Sequence, residues 1–224
     1  MRGSIITLTG LDGCGKATQT SMLVKKALSY GYKVKTLSFP RYDTFWGKAI
    51  RAYLSGQFGS LPEIDPKDAS MLFAMDRLRA KPLIMDWINN GYNLILDRYI
   101  ESNYAHQGSK LTGQDRIRMI DWIYDLEIKQ HKIPEPDLVI YLDLPVDYTL
   151  KAIKQRNETE HDSLVDLHET SVEHLKATEE TYKYLAQRFS NWLIVPCLKS
   201  KDERYTIEEQ AEIIWQKVEP YFKK

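Results

Sequence analysis

Five short apolar runs recur along the chain, and a stretch of different periodicity follows each. The runs are "SIITLTG" (4–10), "YKVKTLSF" (32–39), "YNLILDR" (92–98), "PDLVIYLDL" (136–144) and "NWLIVP" (191–196). Between and after them lie helical patterns, among them "KATQTSMLVKKALSYG" (16–31), "DPKDASMLFAMDRLRAKPLIMDWINNG" (65–91) and "TGQDRIRMIDWIYDLEIKQ" (112–130). Three more follow: "VDYTLKAIKQR" (146–156), "ETSVEHLKATEETYKYLAQRF" (169–189) and "TIEEQAEIIWQKVEPYF" (206–222). Strand-then-helix alternation of this kind requires parallel strands joined by crossover helices, hence an α/β fold. The runs are continuously apolar rather than alternating, which fits strands covered on both faces.

The punctuation agrees. Gly31 and Gly91 close two helices, and Asp65 with Pro66 opens another as N-cap and first residue. Pro40 ends the second run, and Pro82 is expected to kink its helix. The polar stretch 157–166 has no clear period and reads as a loop. No linker rich in Gly, Ser or Pro interrupts the 224 residues, so one domain spanning 1–224 is expected.

Charge narrows the function class. Lys plus Arg number 31 and Asp plus Glu 31, so no long-range pull draws the chain to nucleic acid or to an anionic membrane. No apolar run approaches the roughly 20 residues of a membrane span. The first residues lead straight into a strand pattern, so no signal peptide is expected. The two cysteines, Cys14 and Cys197, have no metal-ligand spacing. A cytoplasmic, reduced protein is the expectation.

The first junction carries the chemistry. "GLDGCGKAT" (10–18) fits G-x-x-x-x-G-K through Gly10, Gly15 and Lys16. Backbone N–H groups in such a turn, Gly13 among them, point inward at phosphate oxygens, and the helix adds its positive end. Lys16 brings a cation to the outer phosphates. The next position ordinarily carries a hydroxyl for Mg2+, but here it is Ala17. Thr18 faces another way and cannot replace that hydroxyl directly. Magnesium keeps several waters and needs only one or two carboxylates besides phosphate, so the loss does not disable the site.

Other stretches leave the ends of the next strands. "FPRY" (39–42) follows the second, "DRYIESNYAHQG" (97–108) follows the third, and "LFAMDR" (72–77) lies in the long helix. In an open parallel sheet these should converge on one crevice beyond the carboxyl ends of the strands. In combination with the phosphate loop and "PEPDLVIYLDLPV", these segments resemble the thymidylate kinase family of phosphate-loop nucleoside monophosphate kinases, over about 5–195. The resemblance implies the P-loop NTPase three-layer fold: a five-stranded parallel sheet, order 2-3-1-4-5, flanked by helices, with a short lid at about 154–168.

It also implies a reaction: ATP plus dTMP giving ADP plus dTDP, with Mg2+. The donor site would comprise Gly10, Asp12, Gly13, Gly15, Lys16, Ala17 and Thr18. The acceptor site would comprise Asp12, Phe39, Arg41, Tyr42, Phe73, Arg77, Arg98, Ser102, Asn103, His106 and Gln107. Phe73 would stack on thymine, and Arg77, four residues on along the same helix face, would donate to a base carbonyl. Asn103 would read the base edge by donating and accepting together. Arg98, with Arg41, would hold the acceptor phosphate. Asp12, Asp97 and Glu169 would manage the metal, and Lys16, Arg98, Asp97 and Arg156 would carry the transfer. Family members commonly form homodimers, so one is expected here.

Two departures leave alternatives open. Many relatives place arginines on the phosphates from the loop or the lid. Here the loop has none, and the lid begins with Lys154 and Arg156 and then has only His161 among acids and polar residues. His106 stands where relatives often have a tyrosine against the sugar. A kinase of another pyrimidine monophosphate such as dUMP, or a nucleotide-binding protein with impaired catalysis, are the alternatives.

Overall fold

A computed structural model describes residues 2–159, 171–201 and 203–223. Its centre is a sheet of five parallel strands: β1 (Ile5–Thr9), β2 (Val34–Ser38), β3 (Asn93–Asp97), β4 (Leu138–Asp143) and β5 (Trp192–Pro196). Their order is β2-β3-β1-β4-β5, as the resemblance implies. Register places Leu8 of β1 opposite Asp97 of β3 and Ile140 of β4, so β1 and β3 end side by side while β4 runs on to Asp143.

Successive strand residues face opposite layers. On one side Ile5, Leu94, Leu96, Val139 and Tyr141 join the core formed with α3 (Pro66–Asn89), α4 (Ile100–Gly108), α5 (Gly113–Tyr124) and α7 (Val172–Arg188). On the other, Ile6, Leu8, Ile95, Ile140 and Leu142 pack against α1 (Lys16–Ser29) and α8 (Ile207–Val218). Tyr141 and Tyr182 stack at 5.1 Å, both fully buried. A large side chain buried in this way stabilises by about 1.5–3 kcal/mol. The remaining helices are α2 (Phe45–Leu54) and α6 (Val146–Thr159).

The expectation of strands covered on both faces holds for β1, β3 and β4. It fails for β2 and β5, which each expose residues. They are the edges, where one flank lacks a neighbouring strand and cover is thinner. Asp65 caps α3 by accepting from Lys67 N at 2.7 Å, with Pro66 in the first turn. α3 runs on through Pro82 as one helix. The ring removes only the N–H that would bond the Leu78 carbonyl, one rung among many. The helical pattern at 112–130 divides into α5 and a π-helical turn, Asp125–Gln130. After β5 a small hairpin, β6 (Leu198–Ser200) with β7 (Glu203–Arg204), precedes α8.

Of the expected lid at 154–168, residues 154–159 are the end of α6, and the rest lies outside the described residues. No helix among the described residues is long and apolar enough to cross a membrane.

One buried acid sits in the first turn of α4. Glu101 is 2% exposed, and burial pushes its carboxyl up from the usual 4.5 to about 7. A folded pKa above the unfolded one gives stability that is complete below the unfolded pKa and is lost as pH rises through the folded one. Glu101→Gln should therefore stabilise the fold by roughly 3 kcal/mol at pH 8 and hardly at all at pH 4, measured by denaturant unfolding.

Candidate active site

The loop between β1 and α1 is shaped by three glycines in left-handed or related conformations: Gly10 (φ 144°), Gly13 (φ 75°) and Gly15 (φ 94°). A Cβ on Gly10 would lie 2.6 Å from the Leu142 carbonyl oxygen, and one on Gly13 would lie 2.5 Å from Ala152 Cβ. α1 then starts without a side-chain cap and without an acid in its first turn. Its first N–H groups are open to an anion. Ala17 and Thr18 are exposed on that turn. Lys16 is 7% exposed; its Nζ donates to the Leu11 carbonyl at 2.8 Å and to Asp12 Oδ1 at 3.4 Å. Cys14 is buried in the same turn, and burial pushes its thiol up, away from thiolate chemistry.

Arg98 enters from the end of β3. Its backbone N–H bonds the Leu8 carbonyl at 2.9 Å, and its φ of 61° turns the chain sharply. A left-handed conformation costs a non-glycine residue about 1–2 kcal/mol. The turn aims the guanidinium across the crevice: Nη2 donates to Asp12 Oδ1, and Nη1 reaches the Gly10 carbonyl and Ser102 Oγ, each at 3.4 Å. Burial opposes charge on Asp12, but Arg98 and Lys16 outweigh it and hold its carboxyl well below the usual range. Asp97, beside Arg98, is raised by burial, against the pull of Arg98 and Lys16. Its Oδ1 is buried and has no hydrogen-bond partner.

Behind this cluster, α3 and α4 form a second set. Arg77 is forked to Glu127 through Nε–Oε2 (2.5 Å) and Nη2–Oε1 (2.6 Å), and Nη1 donates to the Tyr99 carbonyl at 3.3 Å. Asn103 Nδ2 donates to Glu127 Oε1 at 2.8 Å and to Ser70 Oγ at 2.9 Å. Its amino group is committed inward, and Oδ1 is left without a partner. Phe73 is half-buried on the same face of α3, edge-on to Tyr53. Gln107 is fully buried, with neither amide atom hydrogen-bonded.

A third set lies at the end of β2. Arg41 is held by Asp76 through Nε and by its own backbone N–H, each at 2.9 Å, while Nη2 bonds the Asp76 carbonyl at 2.8 Å. Phe39 packs on Tyr99, and Arg51 lies over the ring of Tyr42, 4.9 Å from its centroid. Thr9, Ser102 and Tyr182 share hydroxyl contacts between the first two sets, and His106 meets Tyr182 edge-on. Burial, then Arg98 and His174, keep His106 neutral.

The fold thus gathers Gly10, Asp12, Lys16, Asp97, Arg98 and Ser102 at one point, with Arg77, Asn103 and Arg41 in flanking clusters. The Arg156 side chain and all of Glu169 lie outside the described residues. Three partners escaped the sequence reading: Glu127, Asp76 and Tyr182. Glu127 left a signal, a charge on the stripe Ile120, Ile123, Glu127 that faces the core.

The thymidylate kinase family profile matches residues 8–206. The chain belongs to the thymidylate kinase family. A probable thymidylate kinase of Pyrococcus horikoshii is 35% identical over 91% of this chain and 92% of its own. One from Thermococcus onnurineus is 34% identical over 88% and 91%. The human thymidylate kinase is 32% identical over 64% of this chain and 62% of its own. In fold, the chain matches a solved thymidylate kinase from Candida albicans, with TM-score 0.74 over 98% of this chain and 92% of that one, at 24% identity.

The loop geometry is open to a direct check. Gly13→Ala meets both the positive φ and the Ala152 contact, so it should cost roughly 1–3 kcal/mol of unfolding free energy. Because Ala152→Gly removes the same contact, the double variant should lose less than the sum of the singles.

Proposed function

We propose that this chain transfers the γ-phosphoryl group of ATP to dTMP, as a single kinase domain with the lid at about 154–168. The observation that carries the reading is the position of Arg98, a partly buried guanidinium between the phosphate loop and Ser102 of α4, beside the space between α3 and α4 that we read as the acceptor cleft. A nucleoside monophosphate lying with its base toward Phe73 and Arg77 presents its phosphate to Arg98. The loop and Lys16 hold the donor's phosphates from the opposite side. One acceptor phosphate oxygen then forms a bond to the γ-phosphorus as the bond from that phosphorus to the β–γ bridging oxygen breaks, and ADP leaves. The acceptor is already an anion near neutral pH, so no general base is required. Positioning and cations against the developing charge carry the catalysis.

Magnesium fits the residues present. The buried, unpartnered Asp97 Oδ1 lies beside Asp12, and an ion that keeps waters and takes phosphate oxygens needs no larger protein cage. Asp97 and Asp12 would hold it, and when bound it neutralises charge on the β- and γ-phosphates. Glu169 remains a proposed third contributor. Arg156 is proposed on the phosphates, because the described part of the loop lacks an arginine.

We also propose a cytoplasmic homodimer. Both cysteines are free thiols, and Phe45 of α2, Phe58 of the following turn and Met71 of α3 expose apolar surface. Gel filtration should give twice the monomer mass.

ADP release with ATP, magnesium and dTMP tests the reaction. Lys16→Ala should lower dTMP-dependent release by about 100-fold or more, and Ala17→Ser should change it by no more than about threefold. A silent parent chain with activity appearing in Ala17→Ser would make the loop a disabled site. Higher catalytic efficiency with dUMP would overturn the substrate assignment.

A further inference from the structure

We propose that Glu127 is a positioning residue of the acceptor site, locking Arg77 and Asn103 so that the cleft takes only a base with a ring N–H donor beside a carbonyl. This rests on the reading of the α3–α4 cleft as the base site.

Glu127 lies on the π-helical turn after α5, behind the cleft, and is 0% exposed. Its side-chain hydrogen bonds go to Arg77 and Asn103. Oε2 accepts from Arg77 Nε, and Oε1 accepts from both Arg77 Nη2 and Asn103 Nδ2. One carboxylate therefore orients two side chains from two different helices.

The Asn103 amide can sit only one way round. Ser70 presents its backbone carbonyl and Glu127 its carboxylate, and both only accept. The amide group facing them must be the NH2. Oδ1 then faces away, buried and without a partner. An orphaned acceptor of this kind is costly unless a ligand donor meets it. Arg77 has three of its five N–H groups taken and only donors to offer. The cleft therefore presents an acceptor beside donors. A pyrimidine with N3–H next to a C4 carbonyl is its complement. Cytosine carries the inverse pattern, an N3 acceptor next to an amino donor, and would meet acceptor with acceptor and donor with donor.

Glu127→Gln breaks this arrangement without changing its volume. One oxygen becomes an NH2 that must face a donor nitrogen. If it faces Asn103 and Arg77 Nη2, the Asn103 amide is no longer held one way round: keeping its place sets NH2 against NH2, and turning over sets Oδ1 against the Ser70 carbonyl, so the acceptor on the ligand side loses its fixed position. Glu127→Asp keeps the charge near Arg77 but draws the carboxylate back by one methylene, and serves as the variant in which folding is most secure.

Calorimetric titration with dTMP, dUMP and dCMP reads the site without requiring turnover. The parent should bind dTMP and dUMP at least about 100-fold more tightly than dCMP. Glu127→Gln should lower the ratio of dTMP to dCMP affinity by about tenfold or more, and Glu127→Asp by less, with ATP affinity unchanged in both. In the kinase assay KM for dTMP should rise while KM for ATP holds. Three results would overturn the proposal: a parent that binds dCMP as tightly as dTMP, folded variants with the parent's ratio, or failure of both variants to fold, which would make Glu127 a structural strut. A parent that binds none of the three monophosphates would remove the base-site reading and this proposal with it. Selective binding by the parent and by both variants alike would remove this proposal alone.

Discussion

The pairing of Arg98 with Asp12 is the interaction on which the crevice depends. It joins the residue that leaves β3 to the loop that leaves β1. It forms because two adjacent parallel strands end together, with Leu8 opposite Asp97. A partly buried ion pair is weak evidence of stability, since desolvation offsets much of the attraction. Its value here is orientation. The guanidinium is held across the crevice by a strained backbone and a single carboxylate, and a ligand phosphate can compete for the same N–H groups.

The same device appears three times. Arg98 is held by Asp12, Arg77 by Glu127, and Arg41 by Asp76. In each case the acid comes from a different element than the arginine. Three long side chains are thus ordered before a ligand arrives, which lowers the entropic cost of binding. The pairing also reconciles a cation-lined crevice with a chain of zero net charge.

The sheet was legible because its strands are short, strongly apolar and separated by helices, a pattern with few alternatives. The phosphate loop was legible because its glycines meet a backbone requirement that a sequence displays directly. What escaped depends on distant partners. α4 carries "IESNYAHQG", whose buried side chains are mostly polar, so no apolar period marks it as a helix. Glu127 falls on a core-facing stripe, but its partner Arg77 lies fifty residues earlier and nothing local points to it. Asn103 was read as a two-way contact because a sequence does not show which end of an amide is already engaged. The exposed residues of β2 and β5 follow from their edge positions, which the apolar pattern of the strands alone does not mark.

The most direct measurement compares thymidine with dTMP by calorimetry, in the parent and in Arg98→Met. If Arg98 receives the acceptor phosphate, the parent should bind dTMP far more tightly than thymidine. Arg98→Met should keep the thymidine affinity and lose most of that advantage. An advantage for dTMP that survives in Arg98→Met would place the phosphate elsewhere and contradict the assignment of the crevice.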